Sequence, residues 1–235
     1  MKISGLQKMT LLDYPGKVAC TIFLQGCNFR CPFCHNSDLL GGTGPDEISV
    51  DALMAFLKKR VGLLDAVCIT GGEPTLQNDL DQLLEQIKAL GYLVKLDTNG
   101  TRPAMVKDLV ARGLVDYIAM DIKNSPEKYG HTAGVSKMDM TAIEETMQFL
   151  LQGTVSYEFR TTVVAELHTA QDMESIGLWL KKLCPDRKPQ ALYLQSYTDR
   201  DSVLMAGLSA HGKEIMQEFK DILAPYADKV ELRGV

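Results

Sequence analysis

Short apolar runs rich in β-branched residues alternate with amphipathic stretches along the whole chain. The runs Val18–Leu24, Ala66–Thr70, Leu93–Thr98, Asp116–Asp121, Tyr157–Val164 and Ala191–Gln195 have the length and residue types of buried strands. Between them, apolar positions recur at helical spacing. Leu53, Leu57 and Val61 mark one helix face, and Leu80, Leu83, Leu84, Ile87 and Leu90 a second. Val106, Leu109 and Val110 mark a third, and Ile143, Met147, Leu150 and Leu151 a fourth. Met173, Ile176, Leu180 and Leu183 mark a fifth, and a last helix is expected to turn Ile215, Phe219 and Ile222 to the core. A β-α-β-α series calls for mainly parallel strands with right-handed crossovers, so the expected fold class is α/β. Periodicity alone permits either a partial barrel or a doubly wound open sheet. In both, sites assemble at the C-terminal ends of the strands. With no internal repeat, low-complexity tract or linker, residues 1–235 read as one domain.

Composition narrows the classes. At 46% hydrophobic and 23% charged, the chain is expected to fold rather than stay disordered. A net charge of −5 provides no basic stripe for nucleic acid and no lysine-rich face for a membrane. The apolar runs are strand-length, well short of the roughly 20 residues a bilayer span needs. The start, Met1-Lys2-Ile3-Ser4-Gly5, lacks the apolar region of a signal peptide, so a cytoplasmic protein is expected. The methionines fall largely within the helical stripes and read as core filler.

The cysteines change the picture. Cys27, Cys31 and Cys34 stand in a C-x3-C-x2-C run. A closed zinc site wants four protein ligands, and an iron–sulfur cubane commonly takes four thiolates. Three from one loop leave one iron of a cubane open to a ligand that is not protein. Cys20 and Cys68 sit inside apolar runs and read as buried small hydrophobes, while Cys184 precedes Pro185 at an expected helix end. Other strand ends carry polar residues. Gly71-Gly72-Glu73-Pro74 follows the second strand, where paired glycines allow close backbone approach. Asp97, Thr98 and Asn99 end the third and could bond ligand hydroxyls or simply form a turn. Asp121 and Lys123 point to one face at the end of the fourth, to hold a ligand or each other. Arg160 on the fifth could clamp a carboxylate or close a salt bridge, and Gln195 ends the sixth. His131 and His168 belong to no evident constellation.

With Leu11-Leu12-Asp13-Tyr14-Pro15-Gly16-Lys17 leading into Gly26-Cys27-Asn28-Phe29-Arg30-Cys31-Pro32-Phe33-Cys34-His35, this set resembles the radical S-adenosylmethionine (SAM) enzymes over about residues 1–200. Within them it is similar to the activating enzymes of glycyl-radical enzymes, most closely those serving anaerobic ribonucleoside-triphosphate reductase. The resemblance implies a partial (β/α)6 barrel and a [4Fe–4S] cluster on Cys27, Cys31 and Cys34, with SAM on the open iron. It places Gly71, Gly72, Glu73, Asp97, Thr98, Asn99, Asp121, Lys123, Arg160 and Gln195 around SAM, with the backbones of Phe33, Cys34 and His35 lining the adenine pocket. Some family members have a histidine where this chain has Gln195. A monovalent cation near Asp97 and Asp121, as in some relatives, is left open. An outside one-electron donor such as flavodoxin or ferredoxin would reduce the cluster, and SAM cleavage would yield a radical that takes hydrogen from a partner's glycine. No side chain is expected to act as general acid or base. The turn Asp13–Gly16 and the loop Gly41–Pro45 are expected near the mouth that receives the partner. Alternatives are an activator of pyruvate formate-lyase or another glycyl-radical enzyme, a small-molecule enzyme such as 7-carboxy-7-deazaguanine synthase, and a non-catalytic zinc or cluster sensor.

Overall fold

The computed structural model describes residues 1–41 and 47–235. Six successive strand–helix units run along the chain, flanked by two further strands. β1 (Ile3–Thr10) comes first, then β2 (Ala19–Leu24), α1 (Val50–Lys58), β3 (Ala66–Gly71), α2 (Leu80–Ala89), β4 (Leu93–Thr98) and α3 (Pro103–Ala111). β5 (Tyr117–Asp121), α4 (Tyr129–Ala133), α5 (Met140–Leu151), β6 (Ser156–Val163), α6 (Ala170–Leu183), β7 (Leu192–Ser196), α7 (Lys213–Leu223) and β8 (Val230–Arg233) follow. β1 pairs antiparallel with β2, while β2–β3, β3–β4, β6–β7 and β7–β8 are parallel. The expected α/β class with mainly parallel strands is therefore met. All six expected strands are present. β1 and β8 were not expected from the pattern.

The chain forms two compact units. The first comprises Met1–Asn28, Asn36–Thr98 and Arg102–Ala119, the second Phe29–His35, Asn99–Thr101 and Met120–Val235.

In the first unit, the α2 stripe holds up to its last member, Leu90, which caps the helix and is only partly buried. Leu80, Leu83, Leu84 and Ile87 are fully buried, each worth about 2 kcal/mol of hydrophobic stabilisation. α1 starts at Ser49, whose hydroxyl accepts the Ala52 N–H, and buries Leu53 and Leu57. Val61 lies beyond the end of α1 and is 53% exposed, because the chain leaves the helix at Lys59 and turns at Gly62 with φ of +79°. Cys20 and Cys68 are buried as expected, and burial pushes both thiols up to about 12. Tyr14 joins Ala19, Ala66 and Cys68 in the core and packs on Tyr117, with ring centroids 5.7 Å apart. The Asp13–Gly16 turn therefore commits its aromatic ring to the core, and the exposed apolar chains just before it are Met9, Leu11 and Leu12. Residues Gly42–Pro45 of the second expected docking loop lie outside the described residues.

In the second unit, a capping box opens α6: Thr169 accepts from Asp172 N–H, and Asp172 accepts from Thr169 N–H. α7 buries Met216, Phe219 and Leu223. The expected Ile215, Phe219 and Ile222 stripe is thus one position out of phase at both ends, and Ile215 is 39% exposed. Phe219 fits either stripe, and the alternatives at each end are apolar pairs (Ile215/Met216, Ile222/Leu223) that the pattern does not separate.

Candidate functional site

In the first unit, backbone approach governs the strand ends. The Gly72 N–H donates to the Leu24 carbonyl at 2.9 Å, and the Glu73 N–H to the Gly26 carbonyl at 2.8 Å. A Cβ on Gly71 would lie 2.3 Å from the Leu24 backbone, and one on Gly72 would lie 2.0 Å from the Gly26 oxygen and 3.2 Å from the Cys27 Cβ. The glycine pair is thus required by the chain's own packing against the segment that carries Cys27. Asn36 donates its amide to the Gly71 carbonyl at 3.1 Å. Glu73 is buried, and one oxygen, Oε1, accepts from Thr75 N–H at 3.1 Å, Thr75 Oγ1 at 2.6 Å and Thr98 Oγ1 at 2.8 Å. Glu73 therefore ties the end of β3 to the end of β4. Asp97 pairs with the buried ammonium of Lys95.

The second unit holds Cys31, Cys34 and the end of β5. The Cys34 N–H donates to the Cys31 carbonyl at 3.1 Å, closing a turn around the buried Phe33. Arg30 N–H donates to the Ala133 carbonyl at 2.9 Å, and Gly134 (φ +66°) lets α4 end against the Arg30 backbone. Asn99 accepts from Thr101 N–H and Oγ1, so the turn reading of that segment holds.

Asp121 is the centre of an ion cluster. Arg160 Nε and Nη2 both reach its Oδ1 at 3.0 Å, and Lys123 Nζ reaches its Oδ2 at 2.9 Å. Burial alone would push the Asp121 carboxyl up, but the Arg160 guanidinium and Lys123 ammonium outweigh it and hold the carboxyl at about 2. Burial would likewise lower Lys123, yet Asp121, with Cys31 adding to the pull, keeps its ammonium above the ordinary lysine range. Of the two roles foreseen for this pair, the structure shows the residues bonding each other. The two carboxylates considered for a monovalent cation each already face a cationic side chain of this chain.

The backbone beneath this cluster is fixed by buried polar bonds that the sequence did not announce. His168 is fully buried, and burial lowers its pKa. Its Nδ1 accepts the Val164 N–H at 3.1 Å and its Nε2 donates to the Lys123 carbonyl at 2.9 Å. Asn124, also fully buried, donates to Thr132 Oγ1 and the Leu167 carbonyl, both at 2.9 Å. Lone histidine and asparagine residues carry no spacing signal, so pattern reading had no means of placing them. Glu158 was also missed. It is buried on β6 and takes a bidentate Arg233 at 3.0 and 2.9 Å, while that guanidinium lies 3.4 Å over the Tyr193 ring. Its signal was alternation, because Glu158 and Arg160 share a strand face. Gln195 stands in register between Thr162 and Arg233.

A pH effect follows from Asp121. Its folded value, about 2, lies below its ordinary 3.8. The stabilisation is complete above about pH 4 and falls away as pH drops through 3.8 toward 2. The shift corresponds to about 2 kcal/mol, of which about half should be lost by pH 3. Urea unfolding at pH 7, 4 and 3 checks this. The stability gap between the parent and Asp121→Asn should be constant from 7 to 4 and shrink at 3.

No disulfide joins any of the six cysteines. Cys31 is buried, and Cys27 and Cys34 are half-buried. Among the described residues, no group of three His, Cys, Asp or Glu side chains is gathered as a metal-ion site. No helix among them is long and apolar enough to cross a membrane.

Comparison with known proteins gives these features a family. Residues 21–163 match the radical SAM superfamily. A protein of Methanocaldococcus jannaschii, named for glycyl-radical enzyme activation, is 34% identical over 187 residues, covering 76% of this chain and 75% of its own. The pyruvate formate-lyase-activating enzyme of Clostridium pasteurianum is 30% identical over 128 residues, 52% of each chain. In fold, the structure of Streptococcus suis SuiB bound to S-adenosylmethionine matches with a TM-score of 0.68 at 12% identity, over 91% of this chain and 52% of that one. On these grounds the chain belongs to the radical SAM superfamily, with the activating enzymes of glycyl-radical enzymes, which work with a [4Fe–4S] cluster and SAM.

Proposed function

We propose that Cys27, Cys31 and Cys34 hold three irons of the cluster and that the strand ends hold SAM. When bound and given one electron by an outside donor, the cluster and SAM would supply the radical chemistry that removes hydrogen from a partner's glycine. The chain's own residues supply position and charge. The amino-acid end of SAM carries an ammonium and a carboxylate. Asp121 with Lys123 and Arg160 offers both signs of charge at one strand end, held from below by His168 and Asn124. That ion cluster, with both signs of charge held at one strand end, is the observation that carries this reading. Glu73, Asp97, Thr98, Asn99 and Gln195, with the Phe33–His35 backbone and Gly71 and Gly72, complete the contacts we assign to SAM.

The partner we propose is anaerobic ribonucleoside-triphosphate reductase, with flavodoxin or ferredoxin as electron source. The support is the sequence resemblance around Cys27–Cys34 and the Leu11–Lys17 lead-in. The similarity to a pyruvate formate-lyase-activating enzyme favours a second reading, in which that lyase is the partner. The test incubates the reconstituted protein with SAM, a reductant and each candidate partner under anaerobic conditions, followed by electron paramagnetic resonance. A glycyl-radical signal is expected on the reductase. A signal on the lyase alone would move the assignment to the second reading.

A further inference from the structure

The stretch from Tyr197 to Gly212, between β7 and α7, contains neither helix nor strand. Connections longer than about 12–15 residues without secondary structure are uncommon in compact proteins and are usually functional. This one is tied down at both ends. Tyr197 N–H donates to the Val163 carbonyl at 3.1 Å, and Ala165 N–H to the Ser209 carbonyl at 2.9 Å. The Ser209 N–H donates to Glu166 at 2.9 Å, and His211 Nε2 to the His168 carbonyl at 2.9 Å.

Between those anchors the stretch bonds the cysteine loop three times. His35 Nε2 donates to the Thr198 carbonyl at 2.7 Å, Ser202 Oγ to the His35 carbonyl at 2.8 Å, and Met205 N–H to the Pro32 carbonyl at 3.0 Å. A carbonyl only accepts, so the Nε2 of His35 carries the proton. The His35 ring also stacks on Tyr197, centroids 5.8 Å apart at 26°. The imidazole beside Cys34 is thus turned to this stretch, and the opposite flank of the loop is bonded to Ala133 through Arg30.

We propose that Tyr197–Gly212 is a clasp that holds Pro32–His35 in place, so that the cluster is lost slowly once built. His35 and Ser202 are its positioning residues. The inference rests on the reading that Cys27, Cys31 and Cys34 hold the cluster. Iron leaves when the loop opens, and the open fraction rises as bonds holding the loop closed are removed. Loss of one neutral hydrogen bond should raise it about three- to tenfold.

The test uses the full chain, reconstituted anaerobically with iron and sulfide, and follows iron release to excess ferrous chelator. Ser202→Ala and His35→Phe should release iron about three- to tenfold faster than the parent, with unchanged far-ultraviolet circular dichroism. Ser202→Thr, which keeps the hydroxyl, should release near the parent rate. A folded Ser202→Ala that takes up no cluster also supports the clasp. Parent-rate release from loaded Ser202→Ala and His35→Phe would overturn the clasp and leave the site reading standing. A parent chain that takes up no [4Fe–4S] cluster would overturn both.

Discussion

Cys31→Ala is expected to remove the cluster and reduce SAM cleavage to background, an effect that loss of Cys27 or Cys34 should share. The loop supplies three thiols, and the proposed cluster would need all three, with SAM taking the place of a fourth protein ligand. Removing one leaves a second iron without a protein ligand. Even partners that only orient metal ligands cost about 10–100-fold when removed, so loss of a ligand should exceed about a hundredfold. Two measurements check this after anaerobic reconstitution: iron and sulfide per chain, and 5′-deoxyadenosine formed with SAM and a reductant. Cys20→Ala is the matched control. Its thiol is buried in the core and held protonated, with its pKa pushed up to about 12. That variant should lose some stability to the cavity yet retain full iron and cleavage. Parent-level cleavage in Cys31→Ala would refute the assignment of the cluster.

Gly72→Ala is expected to be strongly damaging. The added methyl would sit 2.0 Å from the Gly26 oxygen and 2.6 Å from its carbon. That carbonyl cannot swing away freely, because it accepts the Glu73 N–H. The strand exit must therefore shift, and it carries Cys27. Overpacking against backbone costs about 3 kcal/mol here, at the upper end of the usual range. Urea unfolding should show the loss, and iron uptake should fall in the fraction that folds. Gly41→Ala serves as comparison, since its added carbon would meet nothing within 4 Å. It should stay within about 0.5 kcal/mol of the parent. Equal stability of the two variants would mean that the glycine pair is not held as the geometry describes.

How much was legible in the sequence depended on whether a signal repeats. All six core strands were legible, because buried parallel strands are continuous apolar runs. β1 was not, since three adjacent residues, Gln7-Lys8-Met9, are exposed and break the apolar run. β8 was not, since it is a short strand with one buried residue. The Cys27, Cys31 and Cys34 spacing and the polar strand ends were legible because each places several chemically matched side chains close together in the chain. The Asp121–Lys123 pairing was legible in part: alternation put both on one face, but only the structure added Arg160 from β6.

The sequence by itself determined the order of the six core strands and the main helices between them, the family, and the thiols and charges available to the chemistry. Those properties are carried by side-chain type and local spacing. Tertiary structure alone decided that Gly72 must be small because Gly26 passes beside it, that His168 secures the carbonyl of Lys123, and that Thr198, Ser202 and Met205 bond the cysteine loop. Those bonds run largely through backbone N–H and C=O groups, which nearly every residue possesses, so their partners are chosen by where the fold brings the chain together.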